Sequence, residues 1–248
     1  MDKTYEKQYH QLERTHFWFV ARRKKVISLM EIGAGKKYLD IGCSSGFLLS
    51  ELIDSGAAPD QVYGVDISDE AIAACKAKGL DQVFKMDATR IELPENHFDY
   101  IVASDCLEHL NEDRRALDNW QKLLKPGGRL ILFVPAYMFL WSPHDVVNHH
   151  FRRYTSKELT GKVLDAHFTV QRHGYWNFTL FLPILFYRLL RKALQKLGRL
   201  ESPDADLKPS PAIVNRILLG LLRAENVLTR YLRFPFGVSV YCIAGKEG

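Results

Sequence analysis

Tyr38-Leu39-Asp40-Ile41-Gly42-Cys43-Ser44-Ser45-Gly46 is the stretch that decides how this chain folds. A short apolar run suits a buried strand, the glycines suit a tight turn, and the periodic apolar residues over 47–55 suit a helix. A strand that enters a helix through glycines lets backbone N–H groups approach a ligand closely, because no bulky side chain stands between them. Gly42 and Gly46 supply those positions, with Asp40, Cys43 and Ser44 beside them. Ser44 fits the turn provided its φ stays negative.

Acids then recur at the ends of the following strands. Asp66, in Val65-Asp66-Ile67, lies about twenty residues on, where an acid accepts hydrogen bonds from a ribose diol. In Met86-Asp87-Ala88 a carboxylate and a backbone N–H can read an adenine edge, with Ile67 and Met86 covering the ring faces. Ser104-Asp105 completes the row at the carboxyl edge, where open α/β sheets bind ligands. Each acid alone reads equally as a turn or cap residue; four in register favour a nucleotide site. The GxGxxG spacing of a dinucleotide-binding loop is missing from Gly42–Gly46.

Outward from that loop, strand signals at 38–41, 61–65, 82–85, 98–104 and 128–134 alternate with helix signals at 47–55, 70–78 and 114–124. The class is α/β: a parallel sheet with crossover helices. The Pro126-Gly127-Gly128 turn is expected to separate the last of those helices from the fifth strand. Thr155 or Ser156 should cap the next helix, with Glu158 completing a capping box. A sixth strand fits 169–176 and a seventh fits 238–244. One domain results: a helical cap over 1–36, a cofactor-binding core over 37–135, an acceptor side over 136–177, a helical insertion over 178–236 and the last strand over 237–248.

Tyr38-Leu39-Asp40-Ile41-Gly42, Val65-Asp66, Met86-Asp87-Ala88, Phe98-Asp99-Tyr100-Ile101-Val102, Leu107-Glu108-His109-Leu110 and Leu124-Lys125-Pro126-Gly127-Gly128 resemble the successive motifs of class I S-adenosylmethionine-dependent methyltransferases. The family loop usually reads GxGxG, and Ser44 stands at its middle glycine. The resemblance implies S-adenosylmethionine as cofactor and S-adenosylhomocysteine as product. It places the methionine part on Asp40 and the glycine loop, the ribose on Asp66 and the adenine at Asp87. It also implies a Rossmann-like, mostly parallel seven-stranded sheet with helices on both faces, whose last strand runs antiparallel. The blocks 141–154 and His16-Phe17-Trp18-Phe19 resemble microbial methyltransferases akin to the ubiquinone- and menaquinone-type enzymes.

Methyl transfer needs an aligned nucleophile and, for some acceptors, a base. His144, with Asp145 or another acid to fix its tautomer, is the leading base candidate, and Glu108 and His109 follow the fourth strand toward the cofactor. His149, Arg152, Arg153 and Tyr154 are candidates for gripping the acceptor; pairing of the arginines with surface acids is the alternative. The spacing of His144, Asp145, His149 and His150 matches no strong metal motif, so no metal is expected. No Asn-Pro-Pro-Tyr or Asp-Pro-Pro-Tyr string follows the fourth strand, which points away from a nucleobase amine and toward oxygen or carbon of a small or lipid-like acceptor.

The chain has 248 residues, four scattered cysteines and a net charge of +5. Its N-terminus lacks the apolar core of a signal peptide, and a reducing cytoplasm suits the cysteines. The basic charge is local: residues 185–233 carry ten Lys/Arg against four acids. There, Arg216, Arg223 and Arg230 recur along one helix face opposite Val214, Ile217, Leu218, Leu221, Leu228 and Leu232. Such a helix either caps the sheet, with its arginines solvated, or lies on an anionic membrane surface. Two further readings are a membrane-associated scaffold that kept the fold and lost the chemistry, and an RNA methyltransferase, for which no added RNA-binding module is evident.

Overall fold

Period-2 alternation that is apolar on both sides demands a sheet covered on both faces. The computed structural model describes residues 9–196 and 209–247. Its strands are β1 (Tyr38–Ile41), β2 (Val62–Asp66), β3 (Val83–Lys85), β4 (Phe98–Ser104), β5 (Leu124–Pro135), β6 (Thr169–Trp176) and β7 (Ser239–Gly245). They form one sheet in the order β3-β2-β1-β4-β5-β7-β6. β1 to β5 run parallel, and β7 pairs antiparallel with both β5 and β6.

The helices are α1 (Phe17–Ile27), α2 (Phe47–Asp54), α3 (Asp69–Lys76), α4 (Asp113–Leu123), α5 (Pro143–Val147), α6 (Ser156–Asp165), α7 (Phe181–Lys196) and α8 (Ala212–Leu228). Ile101, Leu130 and Leu132 pack with Leu117 and Trp120 of α4 and Leu159 of α6 on one face. Their neighbours Tyr100, Val102, Ile131 and Phe133 pack with Ala21 of α1, Leu49 of α2, Ile72 of α3 and Leu222 of α8 on the other. Strand pleating thus divides consecutive residues of one strand between two cores.

One local reading changes. Pro126-Gly127-Gly128 does not separate α4 from β5: the chain passes directly from helix to strand, and these residues bulge inside β5, whose register jumps from Phe98↔Leu124 to Tyr100↔Arg129. Lys246 repairs the bulge, accepting from Gly127 N at 3.0 Å and donating its N–H to Gly128 O at 3.0 Å. The expected capping box on α6 forms at Thr155, the first of the two candidates: its hydroxyl accepts from Glu158 N and its N–H donates to Glu158 Oε2 at 2.7 Å.

The insertion docks through polar side chains. Asn215 accepts from Phe17 N at 2.8 Å, and Asn226 accepts from Trp176 Nε1 and donates to Ala21 O. Glu225 is buried and caps the β6–α7 connection, accepting from the N–H groups of Asn177, Phe178 and Thr179. Asn215, Leu222, Glu225, Asn226 and Thr229 lie on one stripe of α8, and that stripe faces the protein. Val214, Ile217, Leu221, Leu228 and Leu232 therefore stay exposed instead of capping the sheet. Among the described residues no helix is long and apolar enough to cross a membrane. Residues 197–208 of the expected helical insertion and residues 1–8 of the expected helical cap lie outside the described residues.

Candidate active site

β1, β2 and β4 end side by side beneath a cavity of about 950 Å³, near the upper limit for small-ligand sites. Asp40, Gly42, Cys43, Ser44, Asp66, Ile67, Met86, Asp87, Ala88 and Ser104 all border it, as do Glu108, His109 and His144. Gly46 does not: its φ of +76° starts α2, and a Cβ there would lie 2.6 Å from Leu80 Cδ1 and 2.7 Å from Cys75 Sγ. Close packing, rather than ligand approach, requires that glycine. Gly42 has φ +75° and leaves room for Cys106, which a Cβ would meet at 3.2 Å.

Ser44 departs from the expectation of a negative φ, adopting +47°. Its N–H donates to Asp66 Oδ2 at 2.9 Å, a charge-assisted bond that helps offset the left-handed backbone. Asp66 Oδ1 accepts from Ser68 N at 2.9 Å. These bonds fix the carboxylate where it borders the cavity. Asp87 is arranged alike, its Oδ1 taking the N–H and hydroxyl of Thr89, both at 2.8 Å.

Asp40 is buried with neither a hydrogen-bond donor nor a cation of its own among the described residues. Burial pushes its carboxyl up to about 8, with Asp66 and Glu13 adding repulsion. A buried carboxyl of this kind is a ready partner for a ligand cation. The N-terminal segment completes the enclosure. Glu13 accepts from the Ser45 hydroxyl, and Arg22 donates to Asp105 Oδ2 at 3.0 Å, Ser104 Oγ at 3.3 Å and Ser239 Oγ at 2.7 Å. Its guanidinium sits 4.3 Å from the Trp176 ring centroid and 4.5 Å from that of Phe133. Arg22 thereby ties α1 to the ends of β4 and β7 directly under the cavity. Sequence reasoning missed both Glu13 and Arg22; the only signal was their place in a helical lead-in around the 16–19 aromatic cluster.

The acceptor-side candidates separate. Asp145 is fully buried and does not border the cavity. It closes a capping box on α5 and forms a two-pronged pair with Arg153, Nε to Oδ1 at 2.8 Å and Nη2 to Oδ2 at 2.9 Å. His150 takes the remaining place, its Nδ1 lying 2.8 Å from Asp145 Oδ1. Asp145 therefore serves Arg153 and His150, and Asn148 Nδ2 lies 3.3 Å from the His144 ring. Arg153 borders the cavity; His149, Arg152 and Tyr154 do not. His149 is exposed, Arg152 pairs with Asp113 at 2.7 Å, and the buried Tyr154 hydroxyl donates to Asp113 at 3.0 Å. His150, absent from the sequence candidates for catalysis or acceptor binding, enters the cavity wall instead.

Residues 39–132 match a family described as "Methyltransferase domain". A demethylmenaquinone methyltransferase of Bacillus cytotoxicus is 32% identical over 117 residues, covering 45% of this chain and 49% of that protein. A ubiquinone biosynthesis O-methyltransferase of Nitrosospira multiformis is 33% identical over 102 residues, covering 38% and 41%. The chain thus spans about half the length of the curated relatives it matches. Among solved structures, one from the complex between the Haloferax volcanii Trm112 methyltransferase activator and the putative methyltransferase superposes with a TM-score of 0.65 at 17% identity, covering 99% of this chain and 95% of that one. The Rossmann-like methyltransferase fold therefore extends over the whole chain, and the sequence likeness over its cofactor-side half.

Proposed function

We propose that this chain is an S-adenosylmethionine-dependent methyltransferase acting at oxygen or carbon of a small, lipid-like acceptor. The observation that carries the reading is the pair Asp40 and Asp66 at adjacent strand ends in one cavity: a buried carboxyl lacking a cation, beside a fixed carboxylate suited to a diol. Asp40 receives the cationic methionine part, Asp66 the ribose hydroxyls, and Asp87 with Ala88 the adenine edge. When bound, the cofactor supplies a methyl group on a positively charged sulfur, open to in-line displacement. His144 takes the acceptor's proton where the nucleophile carries one, and α1 shields the opposite side from water.

Proton linkage tests this assignment. With the Asp40 carboxyl at about 8 in the folded protein, against an ordinary 3.8, the unliganded fold loses stability as pH rises between those values. A bound cation favours the carboxylate, so binding below pH 8 expels a proton and tightens as pH rises toward 8. Calorimetry at neutral pH in buffers of different ionisation enthalpy should give saturable S-adenosylmethionine binding with about one proton released. Asp40→Asn should abolish the buffer dependence. Absence of saturable binding sinks the function; buffer-independent binding sinks the role of Asp40.

The acceptor class rests on the insertion. Ile184, Tyr187 and Arg188 of α7 border the cavity, while Leu182, Phe186, Leu189 and Leu190 beside them are exposed. With the apolar stripe of α8 and its exposed Arg216, Arg223 and Arg230, this surface suits an anionic bilayer from which an apolar molecule enters. The Bacillus relative is named for demethylmenaquinone and the Nitrosospira relative for ubiquinone biosynthesis, and a quinone-type ring with an apolar tail fits such an entrance. Flotation with phosphatidylglycerol vesicles should recover the protein at low salt and lose it with added salt or with Arg216→Glu/Arg223→Glu/Arg230→Glu. Equal recovery of wild type and triple variant would remove the membrane from the reading. Vesicle binding without cofactor binding would favour a scaffold instead.

A further inference from the structure

Glu108, His109 and His150 each offer one ligand atom to a common point, and these atoms lie within 4.8 Å of one another at the cavity wall. Glu108 and His109 lie on the 3₁₀ turn Leu107–His109 after β4, and His150 follows α5. The main chain laces the two segments together, Phe151 N donating to Glu108 O at 2.8 Å. Glu108 is fully buried, and neither carboxylate oxygen has a hydrogen-bond partner. Buried acids are almost always partnered, so this one calls for an explanation.

Both histidines are supported from behind. His150 Nδ1 stands 2.8 Å from Asp145 Oδ1, and Asp145 is itself locked by Arg153. A carboxylate only accepts, so Nδ1 carries the proton, and in the neutral ring Nε2 keeps its lone pair. The His109 ring is likewise held by the backbone of Asn148, and the two rings meet edge to face with centroids 4.5 Å apart. Imidazoles with one nitrogen fixed by an acceptor and the other free to ligate are the usual arrangement around a protein-bound metal.

We infer that Glu108, His109 and His150 form a binding site for a divalent transition-metal ion. Two imidazoles and one carboxylate suit zinc, cobalt or iron(II) better than magnesium or calcium, which prefer all-oxygen ligands. Three protein ligands leave coordination positions for an outside oxygen, so the site would take an acceptor bearing a hydroxyl or enol next to the methyl donor. The sequence spacing concealed it because the ligands come from two segments and the histidine pair is not helical. Metal binding stands independently of methyl transfer, whereas the acceptor's place beside the donor rests on the proposed function.

Cobalt(II) titrated into the full chain, first stripped with a chelator, is the test. One equivalent should bind with visible d–d absorption and raise the melting temperature. Glu108→Gln and His150→Ala should weaken that binding by roughly 100-fold or more, beyond the loss typical of disrupting a ligand's supporting residue. Without metal, Glu108→Gln should be no less stable than wild type, because it neutralises an unpartnered buried acid. Cobalt binding of equal strength in wild type and variants overturns the site. Should the variants fail to fold, a featureless wild-type spectrum at saturating cobalt overturns it as well.

Discussion

Asp66→Ala is expected to weaken S-adenosylmethionine binding by roughly 100- to 1,000-fold, the largest functional loss from a single substitution in the cavity. Two ribose hydroxyls donating to a fixed carboxylate are each worth about 1.5–2 kcal/mol, and every 1.4 kcal/mol is about tenfold in affinity. The carboxylate's position is set beforehand by the N–H groups of Ser44 and Ser68, so little ordering opposes binding. Truncation also releases the Ser44 N–H that steadies the left-handed turn, and the glycine loop beneath the methionine part loosens with it. Asp66 further contributes to the raised Asp40 carboxyl, so the variant should bind its remaining ligand with less proton release. Circular dichroism should be unchanged, since Asp66 is partly exposed at a strand end. Calorimetry showing affinity within threefold of wild type would refute the assignment of Asp66.

How much of this was readable beforehand follows from the range of the interactions. β1 and β4 begin and end where their apolar runs do, because strand period and burial are local signals. The row Asp40, Asp66, Asp87 was equally legible: parallel strands with helical crossovers bring their carboxyl ends to one edge whatever the side chains are. Arg22 was not, since its partners Asp105 and Ser239 lie far along the chain and meet it only after α1 crosses the sheet. Asp145 failed for a related reason. Adjacent to His144 in sequence, it points inward on α5 to Arg153 and His150, and neighbours on a helix face different ways. The orientation of α8 stayed open because its apolar residues outnumber the polar stripe, yet Glu225 and Asn226 satisfy buried N–H and indole groups that no leucine could. Unpaired donors weigh more than matched apolar area when they decide which stripe turns inward.

That same weighting makes Asp145→Ala the substitution with the greatest expected effect on stability. Asp145 and Arg153 are almost wholly withdrawn from water, so deletion of the acid leaves a guanidinium buried without its counter-ion. Breaking a buried pair from one side costs about 3–5 kcal/mol, and loss of the α5 cap adds about 1 kcal/mol. At roughly 2–4 °C per kcal/mol for a chain of this size, the melting temperature should fall by about 10 °C or more. Burial alone would push the Asp145 carboxyl up, but His150 and Arg153 outweigh it and hold the group well below the usual carboxylate range. Its contribution is therefore complete above the ordinary carboxylate value and is lost only as pH falls toward the depressed one, so the gap between wild type and variant should narrow on acidification. Asp145→Ala/Arg153→Met should recover part of the loss by removing the stranded charge, without restoring His150's proton placement. Cobalt affinity should then stay low in the rescued double variant. A melting temperature unmoved by Asp145→Ala would mean that Arg153 finds another partner, and the acceptor wall would not depend on this pair.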